Sequence, residues 1–294
     1  MLASLPAPRT APSHAGQPTR HSVTASAEFA FLCDWLGRCT GIRMLTPERS
    51  GLPDGCPLIE IDFADAGTCL VHVRVKADSR LSFKAEPFEA MRDHARRQRR
   101  PLLIAWKHFA RWSLTEAAHF HHTDANHTIN HQTACRQNLL GVLAGDHGWS
   151  LPTGAGIALD TSIPAMAGTA SVRRVTGLGA ASVPLCDWSP AYRQILAFTP
   201  LHRRIAAWPE TMTVYEAGHE CGYLHQFVVD AFNHGRPDPR LPYAGALAAE
   251  YPRDDDIIPA RRAILDMLDH ARADGLVDQI FVPRPHDLPD FLLR

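Results

Sequence analysis

Two short runs constrain this chain more than any other feature. Leu58-Ile59-Glu60-Ile61-Asp62-Phe63 and Leu70-Val71-His72-Val73-Arg74-Val75-Lys76 both alternate strictly between apolar and polar, with the turn-forming Asp65-Ala66-Gly67 between them. Successive side chains of a strand point to opposite faces. The runs therefore predict a hairpin with Ile59, Ile61, Phe63, Val71, Val73 and Val75 on its oily side. Glu60, Asp62, His72, Arg74 and Lys76 share the other side. Taken alone, such a face is either a solvated surface of cross-strand charge pairs or a place for chemistry. Carboxylates can hold Mg²⁺ through hard oxygen ligands, while an ammonium orients water and balances phosphate charge.

The flanking segments extend the pattern. Phe29, Leu32, Cys33 and Leu36 have the i, i+3, i+4, i+7 spacing of an amphipathic helix that precedes the hairpin. After it, Glu86-Pro87-Phe88-Glu89 opens a helix with proline and acid in the first turn. Phe88, Met91 and Ala95 form its stripe, and it ends in Arg96-Arg97-Gln98-Arg99-Arg100 before Pro101. Leu102–Trp106 then reads as a buried strand and Arg111–Leu114 as its neighbour.

This order of elements, with these polar positions, resembles the core of the PD-(D/E)xK, or restriction-endonuclease-like, nuclease superfamily. The family places an acid on one strand and an acid-x-lysine triplet on the next. Asp62 matches the first acid and Lys76 the lysine, but position 74 is arginine, and a cation cannot ligate Mg²⁺. Some members draw the missing carboxylate from the following helix, where Glu89 stands; Glu60, two residues before Asp62, is a second substitute. The resemblance covers residues 25–116. It implies an α/β fold with an N-terminal mixed sheet flanked by helices over 25–120; residues 121–294 read by their own pattern as a smaller α+β region, either a continuation or a second domain.

The same resemblance implies a Mg²⁺-dependent nuclease acting on nucleic-acid phosphodiesters, with DNA the expected substrate. Asp62, Glu89 and Glu60 would be metal ligands, Lys76 the water-positioning cation, and His72 or Arg74 the contact to the scissile phosphate. The alternative, favoured by Arg74, is a nuclease-like subunit without catalysis that binds nucleic acid or assembles a complex. There, Arg74, Lys76 and the arginine run would hold phosphates without cutting them.

Net charge is −1 over 294 residues, so any polyanion site must be local. Arg96, Arg97, Arg99 and Arg100, with Lys107 and Arg111 nearby, form the nucleic-acid-binding candidate; the bland reading is a solvated helix end. An apolar fraction of 45% with 21% charged residues is that of a globular protein, and no apolar run approaches a membrane span. Seven dispersed cysteines without a Cys-x-x-Cys pair indicate reduced thiols and a cytoplasmic setting. Residues 1–24, rich in proline and lacking acid, read as a disordered tail, with a transit peptide as the alternative.

Beyond Phe120 the signals thin. His119, His121, His122, His127 and His131 crowd together, either as metal ligands or, in the favoured reading, as an exposed polar connector. Gln132–Ala144 predicts one helix, the stretch to about Pro184 short strands and turns, and Pro259–Ala273 a helix capped at Gly275. Leu276–Val282 follows as a strand, which fits either a winged-helix-like element or ordinary α/β packing. Gly177-Leu178-Gly179 lacks a preceding strand and is a weak dinucleotide signal. His219-Glu220 is not a zinc-protease motif, because position 223 is tyrosine.

Overall fold

The computed structural model describes residues 20–45, 51–53, 56–109, 111–123, 125–150, 156–159, 174–176, 182–183, 213–216, 221–232, 260–275 and 277–293. Helix α1 (Arg20–Leu36) leads into strands β1 (Cys39–Leu45), β2 (Leu58–Phe63) and β3 (Gly67–Val75). β4 (Arg80–Lys84), α2 (Ala85–Gln98), β5 (Leu102–His108) and β6 (Arg111–Glu116) follow. Five of these strands form one sheet in the order β1-β2-β3-β5-β6. Only β3 and β5 run parallel, and α2 makes the crossover between them. The architecture is α/β, a mixed sheet flanked by helices, as expected.

The alternation seen in the sequence decides the layering. Ile59, Ile61, Phe63, Cys69, Val71 and Val73 share one core with Phe29, Leu32, Cys33 and Leu36 of α1. Leu58, Leu70, Leu102, Ile104 and Trp106 form a second core with Phe88, Met91 and Ala95 of α2. Gly67 turns the hairpin at φ 64°, and α2 ends at Arg99, which adopts φ 52° before Pro101 blocks further helix. Helix α1 begins at Arg20, inside the segment expected to be a tail.

Past residue 120, the expected histidine connector is instead ordered structure. β7 (His121–Thr123) and β8 (Asn126–Asn130) form a hairpin that joins β4 in a three-stranded sheet. β4 alternates exposed Arg80, Ser82 and Lys84 with buried Leu81 and Phe83. Their cross-strand partners on β8, Ile129 and His127, take the same face and are buried with them.

The single helix expected over Gln132–Ala144 is two: α3 (His131–Arg136) and α4 (Leu140–Ala144). Asn138 and Leu139 interrupt it by bonding to the β6 edge. Asn138 Oδ1 accepts from the Leu114 N–H at 2.9 Å, and the Leu139 N–H donates to the Leu114 carbonyl at 2.7 Å. Satisfying the backbone of an edge strand outweighs continuing the helix.

β9 (Gly148–Ser150) is the middle strand of a sheet with β14 (Cys221–Tyr223) and β15 (Gln279–Phe281). Strands β10 (Gly156–Leu159), β11 (Arg174–Thr176), β12 (Ser182–Val183) and β13 (Thr213–Glu216) make a further antiparallel sheet. Helices α5 (His225–Phe232) and α6 (Arg261–Ala273) complete the described elements, with Gly275 at φ 74° just past α6 as expected. Phe227, Val228, Ile264, Leu268 and Val277 pack into the same core as α1, so the two halves share one interior. Gly177–Gly179 and His219-Glu220 lie outside the described residues.

Candidate functional site

The hairpin register locates the expected site residues of β2 and β3. Asp62 stands opposite Thr68 and Glu60 opposite Leu70, so both carboxylates share the α2-facing side with His72 and Arg74. The shared face is as the alternation predicted. The distance along it is not. Lys76 lies eight residues beyond Thr68, which at the rise of an extended strand is about 26 Å from Asp62. One hydrated Mg²⁺ cannot bridge that gap, so the expected pairing of Asp62 with Lys76 is corrected.

Each carboxylate also has an arginine partner. Glu60 accepts from Arg43 Nε at 2.9 Å and from Arg100, and is largely buried; Arg43 also reaches Asp62 Oδ2 at 3.5 Å. The Thr68 hydroxyl donates to Asp62 Oδ1. Arg43, on β1, faces both acids because it is directly opposite Glu60. Glu89 is on α2, bonded to Arg92 at 2.9 Å and in contact with His127. Lys76 pairs with Asp78 at 3.1 Å. Among the described residues, no three His, Cys, Asp or Glu side chains gather around a point fit for a metal ion. Glu60, held by two guanidinium groups, and Asp62, reached by one of them, do not fit a Mg²⁺ site.

Two residues assigned to phosphate contact differ in fate. His72 is wholly buried, its Nδ1–H donating to the Pro57 carbonyl at 2.9 Å, so it cannot touch a phosphate. Burial, with the nearby Arg74 charge, lowers its pKa to about 4. Arg74 is exposed, its guanidinium 5.4 Å from the centroid of the Phe83 ring, and burial of part of the side chain pulls its pKa down.

The arginine run is divided. Arg96 pairs with Asp93 and Arg100 with Glu60, whereas Arg97 and Arg99 are exposed. Lys107 is not part of a basic surface. It is buried on the α1 side against Glu28 at 2.8 Å, and Trp112 Nε1 donates to the same carboxylate at 3.0 Å. Arg111 donates to the Cys221 carbonyl and lies over Tyr223.

Sequence reasoning missed a buried Asp146–His225 pair, with Nδ1 2.8 Å from Oδ2. Its appearance as a catalytic dyad does not hold, because His225 Nε2 accepts the Trp112 backbone N–H at 3.2 Å. It closes the outer edge of β6 instead. No short-range signal links residues so far apart in the chain.

No protein-family model matches the chain, and no curated protein matches it either. Among solved structures, it is similar to Archaeoglobus fulgidus Hjc, a Holliday junction resolvase from an archaeal hyperthermophile. The identity is 15% and the TM-score 0.31, over 38% of this chain and 85% of that one. No helix among the described residues is long and apolar enough to cross a membrane.

Proposed function

We propose that this chain uses a nuclease-like fold to hold nucleic acid without cutting it through the β2–β3 hairpin. The observation that carries this reading is the state of the two hairpin carboxylates. Glu60 and Asp62 are engaged by Arg43, Glu60 also by Arg100, and the register puts both far from Lys76. The exposed positive groups Arg74, Arg97 and Arg99 are suited to phosphate contact.

The test places binding and cleavage side by side on purified protein. Duplex and single-stranded DNA and RNA are offered with Mg²⁺ or Mn²⁺, against an EDTA control. The expected result is salt-sensitive binding with no metal-dependent cleavage. Replacing Arg97 and Arg99 with glutamine should weaken binding to all sequences alike and flatten the salt dependence on duplex DNA by about 0.9 per lost contact. An unchanged salt slope removes the arginines from the interface.

A second reading is a metal-dependent nuclease acting on nucleic-acid phosphodiesters. The α/β sheet with Glu60 and Asp62 on β2, Glu89 on α2 and Lys76 just past β3 favours it. Metal-dependent cleavage that Lys76→Ala abolishes would replace the first reading with this one. Cleavage lost with Asp62→Asn or Glu89→Gln would restore the ligand set expected from the sequence.

A further inference from the structure

The three-stranded sheet of β4, β8 and β7 has one covered face and one open face. Leu81 and Phe83 of β4 are buried with Phe88 and Phe120, which fixes the parity of the strand. Arg80, Ser82 and Lys84 therefore point the other way and are exposed. Directly opposite them on β8 stand Asn130, Thr128 and Asn126. No residue of β4, β7 or β8 is acidic.

That composition is not what water alone would favour. Opposite charges facing each other across strands stabilise an exposed sheet, and like or unbalanced charges do not. Elsewhere the chain does pair its cations: Arg43 and Arg100 reach Glu60, Arg92 reaches Glu89 and Arg96 reaches Asp93. The side chains of Arg80 and Lys84 have no such partner among the described residues, and their cross-strand neighbours are asparagines. The nearest described acids in the sequence lie off the strands: Asp78 is held by Lys76, and Glu86 is in the first turn of α2. A chain of net charge −1 thus keeps two cations on an acid-free face.

We infer that this open face docks the phosphate backbone of duplex nucleic acid, as a second contact beside Arg74, Arg97 and Arg99. The inference rests on the nucleic-acid reading proposed above and adds the surface and the form of the partner. Arginine, lysine, hydroxyl and amide side chains are the groups that hold phosphate and sugar, fixing position without reading sequence. Arg80 and Lys84 are four residues apart on an extended strand, about 13 Å. That spans about four nucleotides along one strand of a duplex, with the Ser82 and Thr128 hydroxyls between the two cations. The open face carries no phenylalanine, tyrosine or tryptophan, since Phe83 points into the core. Without such rings it offers no platform for the base stacking that single-strand grooves use, which favours the duplex.

The full chain, titrated into labelled duplex DNA across a salt series and read by fluorescence anisotropy, tests this. Arg80→Gln combined with Lys84→Gln should flatten the salt dependence by about 1.8, or about 0.9 per lost contact, alike on unrelated sequences. Ser82→Glu, which sets a carboxylate between the two cations, should weaken binding at least as much. All three side chains are exposed, so the urea-unfolding midpoint should stay at the wild-type value. An unchanged salt slope in the double variant, with wild-type affinity in Ser82→Glu, overturns the inference. Arg97→Gln with Arg99→Gln, run alongside, separates it from the function proposed above. Loss of binding there and none at Arg80 and Lys84 removes the sheet face alone, whereas a wild-type chain that binds no duplex removes both. A greater loss on a single strand of equal length, or displacement by polyglutamate as effective as by unlabelled duplex, assigns the face to another partner and also overturns the inference.

Discussion

His72 sits between Pro57 and the Phe83 ring, where a neutral imidazole fits and an imidazolium does not. Its pKa falls from 6.5 to about 4 on folding. Between those values the unfolded chain holds a proton that the folded one lacks, so stability rises with pH across the window. The contribution is fully present above pH 6.5 and is lost as the pH falls toward 4, by up to about 3 kcal/mol at 1.36 kcal/mol per pKa unit. His72→Phe should remove this acid sensitivity from urea-unfolding curves measured across pH 4–7. If wild type and variant keep parallel pH profiles, the burial argument fails. The residue looks functional in the sequence because alternation reports a face, not whether that face is wet. Here Leu58, Leu70 and Phe83 cover it.

At the scale of elements, β6 shows how the outer edge of the main sheet is closed. Asn138 Oδ1 accepts from the N–H groups of both Leu114 and Leu140, at 2.9 and 3.1 Å. Asn138→Ala strands the Leu114 donor beside a buried core, at a cost of about 1–3 kcal/mol. Hydrogen exchange should show the Leu114 amide exchanging faster in this variant, while β3 amides keep their relative protection. Equal protection at Leu114 would show that another group closes the edge.

The same elements show what local pattern can and cannot predict. The β2–β3 hairpin, α1, α2 and β5 are legible because each buries a periodic face. β1 is not, since Cys39–Leu45 is a half-exposed edge strand with glycine inside it. Nor is the break between α3 and α4, which is imposed by the distant Leu114. The site is half legible: parity places Asp62 and Lys76 on one face, but register depends on where the turn falls. With Gly67 opposite Phe63, Asp62 is at the turn end of the hairpin and Lys76 at the open end.

Considered whole, the chain closes on itself through its last described segment. Strand β15 pairs with β9, and Phe291 and Leu292 pack against the α1 core. Between them, the His286 N–H donates to the Arg136 carbonyl at 2.8 Å, and Gln137 and Asp287 exchange two hydrogen bonds at 2.9 and 3.2 Å. All of this depends on the chain passing α4 at Gly141, where an added Cβ would collide with the Pro283 carbonyl. The obstacle is backbone, which cannot rotate away as a flexible side chain could. Gly141→Ala should therefore displace residues 282–293 rather than disturb α4, since alanine is the better helix former. Overpacking of this kind costs about 1–3 kcal/mol. Limited proteolysis should cut the variant near its C-terminus while the β2–β3 hairpin stays protected. A cleavage pattern identical to wild type would mean that the contact at Pro283 gives way without releasing the segment.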